Sequence, residues 1–163
     1  MRNATSILIF LTACGPGPTA VDGTVDGVSL SDIGTVFWGG RYLVLLDAEL
    51  DCIELSFVNH TYSEGTDFGN TSFAGLQFTF SRGTEVFPGN FSVEGAAEVN
   101  AKFLNYTDGI FDASDEVRGR SGTFVVDKVG DKEWAEGSFD ISFGDSGDMS
   151  GTFAADWCVN LPD

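Results

Sequence analysis

Two groups of side chains in this sequence have the types and spacing to do chemistry at a defined place. The first is the cysteines, Cys14, Cys52 and Cys158. A thiolate is the most readily alkylated or acylated side chain, and two thiols that meet can oxidise to a disulfide. The second is a carboxylate run, Asp108, Asp112, Asp115 and Glu116, which puts four acids within nine residues. Ca²⁺ takes roughly six to eight oxygen ligands from a flexible loop, and this stretch supplies part of such a set. The spacing is not that of an EF-hand, and Arg118 and Arg120 follow at once. A solvated, charge-balanced surface is therefore the competing reading. Asp145 and Asp148 form a thinner second pair. The expectation is no resident cofactor, with Ca²⁺ the one metal that the chain's oxygen donors suit.

Nucleophilic catalysis has little to work with. Gly144-Asp145-Ser146-Gly147 resembles the segment around the reactive serine of chymotrypsin-like proteases. Asp148 stands where that family has glycine, and the single histidine, His60, lies in Val58-Asn59-His60-Thr61 without the family's context. A triad needs nucleophile, base and orienting acid together, so the segment reads as a Gly/Asp turn. No motif selects a carboxylate pair for glycoside hydrolysis from among 25 acids. The expectation is a protein that is not an enzyme. Of Trp38, Trp134 and Trp157, the last lies on a patterned face beside Cys158 and suits the core. Trp134, between Glu133 and Glu136, is the candidate exposed aromatic for a ligand.

The amino terminus reads as an address. Met1-Arg2 carries a positive charge, Ser6 to Leu11 is a short apolar run, and Thr12-Ala13 is a small-residue step before Cys14. That is the order of an export signal, and the run is far shorter than the about 20 apolar residues needed to span a bilayer. Leu11-Thr12-Ala13-Cys14 resembles the lipobox of bacterial lipoproteins. The resemblance implies diacylglyceryl transfer to the Cys14 thiol, cleavage before it, and an acylated mature terminus. An ordinary cleaved signal is the competing reading. Each buried CH₂ contributes about 0.8 kcal/mol, so several acyl chains anchor stably. On this reading residues 1–13 are a lipoprotein signal peptide, residues 14–20 hold the lipidated Cys and a Gly/Pro tether, and residues 21–163 form one folded domain. Gly15 is not the Asp that resembles an inner-membrane retention signal, which points to the outer membrane of the cell envelope.

Charge agrees with a tethered rather than a surface-adsorbed domain. With 8 Lys+Arg against 25 Asp+Glu, the formal net charge is −17. Such a chain is repelled by nucleic acid and by anionic headgroups, so nucleic acid is excluded as a partner and the membrane is reached only through the lipid. With Cys14 acylated, Cys52 and Cys158 remain as an even pair in an exported protein, which reads as a disulfide, two free thiols being the alternative.

The elements that must position these residues are strands. Residues 138–143 and 149–157 alternate apolar and polar, putting Phe139, Ile141 and Phe143 on one face, and Met149, Phe153, Ala155 and Trp157 on one face of the next strand. Residues 76–80 and 97–103 alternate likewise, and residues 42–46 are apolar throughout, as in a strand buried on both faces. Gly122-Thr123-Phe124, Gly137-Ser138-Phe139 and Gly151-Thr152-Phe153 recur at the spacing of one strand plus one turn. They predict a C-terminal β-meander in which each glycine marks a bulge or makes room for a neighbouring ring. Residues 47–52 and 112–117 each predict one helical turn. The fold class is all-β: a single antiparallel β-sandwich or barrel-like domain of about 8–10 strands with little helix.

The G-[ST]-F strands, the acidic Gly turn and the closing Cys158 resemble a broad group of β-rich bacterial lipoproteins of unknown function. That resemblance carries no activity with it. The functional expectation is a non-enzymatic, lipid-anchored envelope module for adhesion, structure or interaction with an envelope protein or glycan. The alternative is a carrier or sensor of a small glycan or hydrophobe in a β-barrel cavity.

Overall fold

The computed structural model describes residues 17–53, 55, 72–81, 86–93, 98–106, 116–159 and 161. Among the described residues ten strands form one sheet: β1 (Ala20–Val25), β2 (Thr35–Gly39), β3 (Tyr42–Leu46), β4 (Phe73–Phe80), β5 (Gly89–Ser92), β6 (Val99–Tyr106), β7 (Val117–Arg118), β8 (Ser121–Val129), β9 (Trp134–Ser142) and β10 (Gly147–Trp157). The order is β5-β8-β9-β10-β2-β3-β4-β6-β7, with β1 beside β10. The fold is all-β, and β8, β9 and β10 are the antiparallel meander that the G-[ST]-F repeat predicts.

The sheet is curled rather than folded into two packed layers. The edge strand β7 and β8, which lies one strand in from the opposite edge, are consecutive in sequence. Between them Gly119 N–H donates to the Ala101 carbonyl (2.9 Å) and Arg120 N–H to the Ser142 carbonyl (2.7 Å), so the chain steps from β6 to β9. One pairing departs from the antiparallel expectation: β10 and β2 run parallel through Asp156–Phe37 and Trp157–Trp38. The cause is geometric. β1 lies antiparallel to Gly147–Thr152 of β10; the chain then reverses after the Val25–Val28 bridge and returns along the same edge of β10. Pro18 and Thr19, at the end of the Gly/Pro stretch, already bond to this edge. The Thr152 hydroxyl donates to the Pro18 carbonyl (3.0 Å), and Ala154 N–H to the Thr19 hydroxyl (2.9 Å).

Alternation decides what each face buries. Leu43, Leu45, Leu76, Phe78, Phe103, Phe124, Phe139, Ile141 and Phe153 point into the curl and form the main core. The repeat has a packing reason. Register places Gly151 opposite Phe139 and Gly137 opposite Phe153. A Cβ on Gly137 would stand 2.7 Å from the Phe153 ring, and one on Gly151 3.0 Å from the Phe139 ring. Gly137 and Gly151 each make room for the ring of the neighbouring strand, while Gly122, at φ +140°, lies against the Asp140–Ile141 backbone. Phe124 and Phe153 stack at 5.3 Å, and Phe78 lies 4.5 Å from Phe124 and 5.2 Å from Phe139. The inside of the curl is filled with aromatic rings.

Strand β3 is buried on both faces, as its unbroken apolar run predicts. Val44 and Leu46 face outward and join Phe73, Leu104 and Tyr106 in a second cluster. Leu55, Cys158 and Leu161 cover it, held down by the Cys52–Cys158 disulfide, whose Cα atoms are 5.5 Å apart. The helical turn expected at residues 47–52 begins later, at Cys52. Asp47 is kept in the sheet by Ala74 (N–H to carbonyl, 3.0 Å), and Asp51 caps the turn by accepting from Ile53 N–H (2.8 Å). Of the turn expected at residues 112–117, residues 112–115 lie outside the described residues, and Val117 is in β7. Among the described residues no helix is long and apolar enough to cross a membrane.

Candidate functional site

On the outer face of β3, β4, β6 and β7, register builds two polar rows. Gln77 pairs with Lys102, and Lys102 with Arg118. One step along, Tyr42 pairs with Thr79, and Thr79 with Asn100. All six alternate with core residues, so their side chains leave the sheet on the side away from the rings. With Arg120, Gly119 and the apolar Val93, Val99 and Ala101 they line a cleft of about 570 Å³, within the ordinary range for a small-molecule site.

The electrostatics of this cleft run against those of the chain. Three of the 8 basic residues line it, and among the described residues none of the 25 acids does. Arg41 adds a fourth cation at the margin, donating from Nη2 to the Tyr42 hydroxyl (3.1 Å) with its guanidinium 5.2 Å from the ring centre. The Tyr42 ring is thereby held at the cleft wall.

Glu116 is the one nearby carboxylate among the described residues that these cations engage. Lys102 Nζ donates to its Oε2 and Arg118 Nε to its Oε1, both at 2.8 Å. Burial raises the Glu116 carboxyl, but the two hydrogen bonds and the two charges outweigh it and hold it below the usual range. Glu116 therefore stays ionised and aims Lys102 and Arg118. It offsets one of three cleft charges. The Arg120 guanidinium has no ion-pair or hydrogen-bond partner among the described residues. A second carboxylate, Asp47, is pushed up by burial, partly countered by Ala74 N–H (2.6 Å), and lies away from the cleft. The arrangement suits holding an anion.

Comparison of the chain with protein-family models, with curated proteins and with solved structures gives no match.

The residues singled out by sequence are scattered. Cys14, His60, Asp108, Asp112 and Asp115 lie outside the described residues. Glu116, the described member of the acidic run, is occupied by Lys102 and Arg118. Of the two arginines that could neutralise the run, Arg118 pairs with Glu116, as does Lys102 on β6. Among the described residues no group of three His, Cys, Asp or Glu could hold a metal. Ser146 lies in a short 3-10 turn, Gly144–Ser146, between β9 and β10. Trp134 is half-buried at the start of β9, against Gly130, and does not line the cleft. Trp157 is half-buried, edge-on to Trp38 at 4.6 Å, with Lys132 Nζ 5.7 Å from its ring centre. Sequence reading missed the cleft because its residues come from four strands, 78 positions apart from Tyr42 to Arg120. The available signal was narrow: Asn100 and Lys102 occupy the outward positions of a strand whose inward positions are Val99, Ala101 and Phe103.

Proposed function

We propose that this protein is a lipid-anchored lipoprotein of the cell envelope, acylated at Cys14, whose β-domain acts through its outer surface as a non-enzymatic interaction module. The amino-terminal order of charge, apolar run, small residues and Cys14 supports the anchor. Gly15 favours the outer membrane. The observation that carries the outer-surface role is the filled interior: Phe78, Phe124, Phe139 and Phe153 occupy the space that a lumenal ligand needs. A surface of this net charge stands off anionic headgroups, leaving the outer face turned to the aqueous side for an envelope protein or glycan.

The anchor is tested on protein extracted from membranes. Mass spectrometry finds a mature chain that begins at Cys14 and carries acyl chains, and Cys14→Ser moves the protein to the soluble fraction. A mature chain that starts upstream of Cys14, or an unmodified Cys14 thiol, overturns the proposal.

A further inference from the structure

The geometry points to a specific ligand class for the outer-face cleft: the anionic end of an acidic saccharide, a sugar bearing a carboxylate or a phosphate. The inference rests on the outer-surface reading above but not on the anchor at Cys14.

Charge supplies the first part. In a chain of −17, a concave surface lined by Lys102, Arg118 and Arg120 and by no described carboxylate is a local reversal of sign. Solvated surfaces of acidic proteins need no such reversal. Guanidinium groups present donors in a planar fork that matches carboxylate and phosphate oxygens, and Arg120 has its fork uncommitted among the described residues. Glu116 engages Arg118 at Nε, and the terminal nitrogens of that fork have no partner among the described residues. The rest of the lining supplies the second part. Thr79 offers a hydroxyl and Asn100 an amide, whose Nδ2 also donates to the Ser81 hydroxyl (2.9 Å), at the spacing of adjacent strands, which suits sugar hydroxyls. The Tyr42 ring, steadied by Arg41, gives a flat apolar face for a pyranose. Val93, Val99 and Ala101 give the cleft a small aliphatic floor, while the large apolar rings are turned to the opposite side of the sheet.

The test is calorimetric titration of the full-length chain with four probes: digalacturonate, glucose 6-phosphate, galactobiose and inorganic phosphate. Both or either of the acidic sugars bind saturably, and the responding one identifies carboxylate or phosphate as the charged group. Galactobiose and inorganic phosphate bind at least about tenfold more weakly than that sugar. Raising the salt weakens binding. The double variant Arg118→Gln, Arg120→Gln lowers affinity about tenfold or more while the protein stays folded, its melting temperature falling by no more than a few degrees because both side chains are exposed and only Arg118 is ion-paired. Asn100→Ala weakens the acidic sugar while leaving inorganic phosphate unaffected. No saturable binding of either acidic sugar overturns the inference, as does equal binding of the neutral sugar, equal binding of bare phosphate, or full affinity in the double variant. Any of these leaves the acylation of Cys14 standing, and an unmodified Cys14 leaves the cleft standing.

Discussion

The outer face of β3, β4 and β6 has two halves that meet different fates. In one half, Val44, Leu46, Phe73, Leu104 and Tyr106 are apolar and covered by Leu55, Cys158 and Leu161. In the other, further along the same strands, Tyr42, Gln77, Thr79, Asn100 and Lys102 border an open cleft. The three strands, their register and their curvature are common to both halves. What differs is the polarity of the outward positions, and the cover follows it: a disulfide-tied turn lies over the greasy half and does not extend over the polar half. The lesson is that cover and access are both written in alternate residues of the same strands, and that a site is found where the outward row stops being apolar.

The largest effect expected comes from lifting the cover. Cys52→Ser with Cys158→Ser opens a loop of 106 residues, for a loss of about 4–5 kcal/mol in the simple loop-entropy model. Chemical denaturation reads the loss, and an exposed second cluster shows as dye binding absent from the wild type. Next is the ring stack on the inner face. Phe124→Ala removes a fully buried ring that touches Phe78 and Phe153, and costs about 3–5 kcal/mol.

Changes in the open half are smaller. Glu116→Gln leaves Lys102 and Arg118 facing each other with less charge between them, at a cost of about 1 kcal/mol. Its pH signature has a definite sign. Glu116 has a lowered folded pKa, so its contribution is complete above the unfolded carboxylate range and disappears as pH falls through the folded value. The stability difference between wild type and Glu116→Gln therefore narrows on acidification, whereas a constant gap would contradict the pairing. Smallest is Arg120→Gln, which shifts stability by less than about 0.5 kcal/mol because the side chain is exposed and unpaired among the described residues. A cost as large as that of Phe124→Ala would mean that the cleft is a structural element rather than an open surface.

Much of the fold was legible because alternation is local. Phe139, Ile141 and Phe143 share a face within six residues, and the unbroken apolar run at β3 announced burial on both sides. The meander was legible from three repeats, and the register explains two of their glycines, Gly137 and Gly151. Strands β1 and β2 were not legible. Ala20–Val25 carries Asp22 and Gly23 at its centre, and β2 holds its place on β10 through two residues, Phe37 and Trp38. Neither has a period strong enough to stand out from a loop. The cleft was the least legible part. Lys102 and Arg118 become neighbours only through the pairing of β6 with β7, a fact of register that no spacing along the chain records. Glu116 drew attention as one acid among four, yet its role is fixed by a lysine on another strand.

The most direct test of the account is titration of the full-length chain with a neutral fluorescent hydrophobe such as N-phenyl-1-naphthylamine. A curl filled by Phe78, Phe124, Phe139 and Phe153 has no room for it, and no saturable binding is expected. Saturable one-to-one binding, weakened by substitutions among those four rings, would place the working site inside the sheet and contradict the outer-surface account.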